Sequence, residues 1–153
     1  MAQPSYDKYD PIASGFRGRL AADLTLTNGS FLGGVSLNAS GKVVVGTAGQ
    51  SGLVGVLLKN APRSSVGQFS TPPGAVSQYA PIATVAGSQV DIMQFGEING
   101  LDTTAFPAGT KVYVTTAGVI AAGGVATGRF LIGFTVEAGR LRVNCPAGLV
   151  AQA

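Results

Sequence analysis

The chain has 153 residues, 46% of them hydrophobic, with 10 basic side chains against 7 acidic ones and no histidine. Imidazole catalysis and histidine-ligated metal centres are therefore excluded, and a net charge of +3 is too mild to argue for nucleic-acid binding. Charged residues are 11% of the chain, against about 25% in ordinary soluble domains. A surface so poor in charge is covered by small and hydroxylated side chains or by other subunits, and we favour the second.

Residues 1–19 differ in character from the rest of the chain. They hold Tyr6, Lys8, Tyr9, Phe16, Arg17 and Arg19 together with Pro4 and Pro11, and show no period of 2 or 3.6. Such a segment reads as an extended arm, and aromatic and arginine side chains are what interface anchors are made of. The six named residues are thus the candidate interface with a partner or sister subunit; the plain alternative is a frayed terminus. Residues 20–153 read as a single β domain.

Leu20 to Thr27 alternates apolar and polar side chains and is followed by Asn28-Gly29, the strongest short hairpin signal, with Ser30 to Leu37 as the return strand. Lys42 to Val45 and Leu53 to Leu58 are two further apolar strands. The stretch from Ala61 to Pro81 is aperiodic and proline-rich, a long loop. Ile82 to Val85 and Gln89 to Phe95 read as strands, Gly96 to Gly100 as a bend, and Leu101 to Phe106 as one helical turn with Asp102 early in it.

The clearest segment runs from Phe106 to Cys145. Pro107 and Gly109 launch a strand in which Val112 and Val114 face one way and Lys111, Tyr113 and Thr115 the other. Phe130 to Val136 is apolar almost throughout, which predicts a strand covered on both faces, with Gly133 marking a bulge or close approach. Glu137-Ala138-Gly139 forms a hairpin loop. In the last strand Leu141, Val143 and Cys145 oppose Arg140, Arg142 and Asn144. The segments around Gly55 and Gly133 also resemble one another, each with a glycine inside an apolar run, which suggests two equivalent strands or a chance likeness.

Motifs for chemistry are few. Asp91, Glu97, Asp102 and Glu137 supply carboxylates, but turn and surface roles suit them better than a glycosidase pair. Gly46 to Gly52 is glycine-rich yet lacks the Gly-Lys-Ser/Thr end of a P-loop. Serine and threonine nucleophiles have no histidine base, and Cys145, on an apolar strand face with no second cysteine to pair with, reads as a buried structural thiol. Lys111, Tyr113, Arg140 and Arg142 on outward strand faces fit either a single-strand nucleic-acid surface or a solvated polar face, and the second is the better reading. No stretch of about 18 apolar residues predicts a membrane span, and the N-terminus lacks a signal-peptide core, so synthesis in a cytoplasm is expected. No cofactor or metal site, no small-molecule substrate and no enzymatic activity is predicted.

Taken together, the Val54-Gly55-Val56 run, Gly87-Ser-Gln-Val-Asp-Ile with Gly96-Glu97-Ile98, Ala108-Gly109-Thr-Lys-Val-Tyr-Val, Ile132-Gly133-Phe134 and the closing Arg-Leu-Arg-Val resemble the small capsid cement, or head decoration, proteins of tailed bacteriophages. The likeness covers roughly residues 40–145. It implies an all-β fold, a small β-barrel or β-tulip-like domain with an extended N-terminal arm. It implies a homotrimer on the outer surface of the virion's capsid, with the major capsid protein as partner and non-catalytic clamping of the shell as the function. Another virion assembly module, such as a tail or fibre component or an adhesin, is the alternative.

Overall fold

The computed structural model describes residues 5–7, 15–27, 30–60, 84–124, 127–146, 149 and 151. The expected all-β architecture is present: eleven strands in two antiparallel sheets among the described residues. In chain order they are β1 (Ser5–Asp7), β2 (Gly15–Arg19), β3 (Ser30–Leu37), β4 (Val43–Val45), β5 (Leu53–Asn60), β6 (Gln89–Met93), β7 (Phe95–Asn99), β8 (Lys111–Val114), β9 (Ile120–Ala122), β10 (Phe130–Glu137) and β11 (Arg140–Asn144). The six-stranded sheet has the order β1-β7-β11-β10-β8-β9, and the five-stranded sheet the order β2-β6-β5-β3-β4.

One continuous stretch serves both sheets. β6 lies in the five-stranded sheet and β7 in the six-stranded one, with only Gln94 between them. That residue ties the two layers together: its carbonyl accepts from the Cys145 amide (2.7 Å) and its side-chain amide donates to the Val54 carbonyl (3.2 Å). A strand that changes sheets in this way makes a corner of a closed or half-closed barrel. Away from this corner, further backbone bonds knit the chain: the Gly34 amide donates to the Gly118 carbonyl (2.8 Å) and the Thr47 amide to the Thr116 carbonyl (3.0 Å).

The core has two parts. Between the sheets lie Leu53, Val56, Leu58, Met93, Ile98, Val112, Val114, Ile132, Leu141 and Val143. On the far side of the five-stranded sheet, Leu20, Leu24 and Leu26 pack over Val35, Val43, Leu57, Val90 and Ile92. The five-stranded sheet is thus buried on both faces, which accounts for the unbroken apolar run Leu53 to Leu58 in β5.

Several sequence expectations need correction. Leu20 to Thr27 is not a strand; it makes isolated bridges at Leu20, Leu24 and Thr27 and acts as a lid of leucines over the second core cluster. Its alternation records burial rather than ladder pairing. The Thr27 carbonyl does accept from the Ser30 amide (3.1 Å), so the chain turns back where Asn-Gly predicts, although those two residues lie outside the described set. Of Ile82 to Val85, Thr84 forms a bridge with Leu24. The expected bend at Gly96 to Gly100 is mostly strand β7, which pairs with β11 on one side and β1 on the other. β10 is not covered on both faces: Phe134 is 48% exposed and Val136 is 38% exposed. The expected 61–81 loop lies outside the described residues.

Other expectations hold. The Phe106 amide donates to the Asp102 carbonyl (2.9 Å), one helical turn, and the Asp102 carboxylate caps it by accepting from the Thr104 and Ala105 amides (2.8 and 3.2 Å). Gly139 turns the β10–β11 hairpin with φ +77°.

Candidate functional site

The six residues of the candidate N-terminal interface fall into three groups. Lys8 and Tyr9 lie outside the described residues. Tyr6 sits in β1, opposite Ile98 of β7 in the ladder. Phe16, Arg17 and Arg19 lie on β2, which pairs along its whole length with β6. The ring of Phe16 packs against the second core cluster. The Nε of Arg17 stands 2.7 Å from the Asp91 carboxylate directly across the ladder, and Arg19 donates to the Gly87 carbonyl (3.4 Å). Residues 15–19 are therefore an edge strand of this chain's own sheet. The sequence shows no alternation there because the inward position between Phe16 and Leu20 is Gly18, where a Cβ would come within 2.5 Å of Val43.

The outward face of the six-stranded sheet carries a different set. Cross-strand partners point to the same side, so Glu97, Arg142, Phe134 and Lys111 form one row across β7, β11, β10 and β8. Within it Glu97 is buried, with a side chain only 7% exposed. Two nitrogens of Arg140 lie 2.9 Å from its Oε2, and Arg142 lies 3.5 Å from its Oε1. Arg140 also reaches Glu137 at 3.3 Å. A buried carboxylate is tolerable only when paired and hydrogen-bonded, and here two guanidinium groups supply that. This arrangement weakens the nucleic-acid alternative for this face: Arg140 and Arg142 are paired with Glu97, and Tyr113, flanked by its ladder partners Leu131 and Ala121, is 2% exposed.

Each of the four candidate carboxylates has a structural partner: Asp91 pairs with Arg17, Glu97 with two arginines, Glu137 with Arg140, and Asp102 caps its turn. Cys145 is fully buried, and loss of hydration pushes its thiol pKa up to about 12, so it is held as the unreactive thiol.

Among its exposed charged and polar groups the same face also carries apolar side chains. Phe134 is half-exposed, and so is Phe95, diagonally across β11 from it. Beside Phe134 opens a cleft of about 470 Å³ lined by Leu131, Phe134, Pro146 and Leu149, with Lys111 and Asn144 as its polar groups. Among the described residues Lys111 has no ion pair. Contiguous exposed apolar surface of this kind, rimmed by polar groups, marks contact with another macromolecule. Sequence reading misses it by assigning β10 to the interior. The signal is present all the same: strands with Lys111 and Arg142 pointing outward flank β10, so its own outward side chains have to share that solvent-facing row.

Comparison with known proteins agrees with the fold and sharpens the class. A solved chain from Mycobacterium phage Patience superposes with a TM-score of 0.70 over 99% of this chain and 98% of its own; at 18% identity, this likeness concerns the fold. No curated protein matches the sequence. The model of one family, described as XM1 gp53 minor capsid protein, matches residues 15–147. A match over that much of the sequence places it: the chain belongs to the XM1 gp53 minor capsid protein family.

Proposed function

We propose that this minor capsid protein is a decoration, or cement, protein. It binds the outer surface of a tailed-phage head as a homotrimer and clamps neighbouring major capsid proteins without catalysing a reaction. The observation that carries this reading is the outward face of the six-stranded sheet, where two phenylalanines and an apolar cleft stand exposed on a chain with few charges. Contiguous apolar surface of that kind marks a site of contact with another macromolecule. Many identical copies, each making modest contacts, then add up to a reinforced shell.

The N-terminal residues have a part in the same reading. Lys8 and Tyr9 contact a neighbouring protein, while β1, with Tyr6, and β2, with Phe16, Arg17 and Arg19, hold the two ends of the arm on β7 and β6. Truncation must respect that boundary. Removing residues 1–19 strips β2 from its sheet and uncovers the second core cluster, whereas removing residues 1–14 leaves both intact and takes away only the three-residue edge strand β1. Purified protein is expected to sediment with undecorated expanded heads, to raise the temperature at which they rupture, and to run as a trimer by light scattering. Deletion of residues 1–14 is expected to weaken head binding with the domain still folded. A strictly monomeric protein that leaves heads unprotected overturns the proposal.

A further inference from the structure

We infer that the cleft beside Phe134 is the seat for an extended apolar segment of a neighbouring shell protein, one that carries a carboxylate to meet Lys111. The inference rests on the capsid reading above and names the surface and the chemistry of its partner. The floor of the cleft is a strand face, with Leu131 and Phe134 from β10 and Lys111 from β8, and Pro146 and Leu149 from the chain beyond β11 complete it. Small-molecule sites of similar volume hold ligands through several convergent polar groups. Among the described residues Lys111 and Asn144 are the only polar side chains of the lining, so the site fits side chains that bind by burial, with one charge for register.

Charge decides between possible occupants. Among the side chains described, the charged groups on this face are Lys111, Arg140 and Arg142 against Glu97 and Glu137, and both carboxylates already hold arginines. Of these three cations, Lys111 is the one without an ion pair among the described residues. A two-fold contact centred on Lys111 would set lysine against lysine on chains that each carry +3. An acidic partner segment removes that repulsion and pairs the lysine as the rings beside it are desolvated. The cleft therefore suits a different protein better than a second copy of itself.

The test is sedimentation of variants with undecorated heads, alongside light scattering and thermal melting of each free protein. Phe134→Ser is expected to weaken binding about tenfold or more, as loss of an exposed aromatic anchor does. Lys111→Glu is expected to weaken it about tenfold at low salt, with the loss shrinking as ionic strength rises. Val119→Ser, at a 58% exposed valine away from the cleft, is expected to bind like the parent. All three are expected to melt and to assemble like the parent. If Phe134→Ser and Lys111→Glu both bind heads as the parent does, the inference is wrong. If either variant instead falls to a smaller oligomer, the face is a contact between copies and the inference is again wrong. An intact protein that ignores heads altogether overturns the capsid reading itself, a result distinguishable from both.

Discussion

β5 and β10 are the two strands that look most alike in the sequence, and the fold uses them differently. Each has eight residues, each lies inside its sheet, and each carries a glycine in its apolar run. The local likeness is real. β5 skips Val54 where it passes from Leu53 to Gly55 against β3, and β10 skips Ile132 where it passes from Leu131 to Gly133 against β8. In both, the residue before the glycine is the extra residue of a bulge. Beyond the glycine they diverge: Val56 is fully buried in the core between the sheets, whereas Phe134 is half-exposed on the outward face. A glycine bulge is set by a few consecutive residues. What covers the strand afterwards is set by distant ones, here Leu20, Leu24 and Leu26 over the five-stranded sheet and no comparable lid among the described residues over the outward face at Phe134.

The comparison breaks most sharply at the glycines. Gly133 has φ +156°, and a Cβ there would collide with the carbonyl oxygen of Arg142 on β11. The obstacle is backbone of a paired strand, which cannot swing aside. Gly133→Ala is expected to destabilise the protein by about 4 kcal/mol or more, in the range reserved for changes the fold cannot absorb. At Gly55 no positive φ is required, and a Cβ meets first the Ile92 side chain, then the Met93 carbonyl at 2.7 Å. Gly55→Ala is expected to cost about 1–3 kcal/mol, as overpacking does. Urea denaturation measures both. Equal losses at the two positions would mean that the bulges are interchangeable and that the backbone obstacle at Gly133 is relieved.

What can be read from the sequence divides along the same line. Local alternation reveals β3, β8 and β11 and their faces, since Val112, Val114, Leu141 and Val143 each point to a core that a polar neighbour avoids. β2 is hidden because Gly18 leaves no side chain at an inward position. β7 is hidden because Gly96-Glu97 looks like a turn; the glutamate is tolerated in a buried ladder only because Arg140 and Arg142, more than forty residues later, neutralise it. The root of the N-terminal arm misleads for a related reason. Its arginines and aromatic rings are conspicuous, but Arg17 pairs with Asp91 at 2.7 Å, a distant partner that no local pattern announces. The exposed ring of β10 looks like core because apolar residues name their preference for burial and not which neighbour, within the chain or outside it, provides it.

A middle-sized effect is expected at the residue that comes after the β5 glycine. Val56 has no exposed surface and sits among Leu53, Met93 and the inward valines of the six-stranded sheet. Val56→Ala removes two methyl groups from a close-packed site and is expected to cost about 2 kcal/mol, transfer and cavity terms together. In a chain of this length that lowers the melting temperature by roughly 4–8 °C. Calorimetry of the purified protein checks it, and a loss under about 0.5 kcal/mol would place Val56 outside the core.

The smallest effect on stability is expected at the matching position of β10, and its smallness is the informative part. The Phe134 ring leaves about half its surface in water, so the folded chain gains little by holding it. Phe134→Ser is expected to shift the denaturation midpoint by no more than about 0.5 kcal/mol and to leave the urea slope unchanged, because the surface buried on folding barely alters. The strand itself should tolerate serine, since the ladder bonds on both sides of β10 are made by backbone. A residue that costs nothing to remove from the free protein yet occupies the centre of a sheet with an aromatic ring is kept for a contact made elsewhere. If Phe134→Ser destabilises the isolated protein as much as Val56→Ala does, the ring belongs to the fold's own packing, the two strands are equivalent after all, and the outward face loses its claim to a partner.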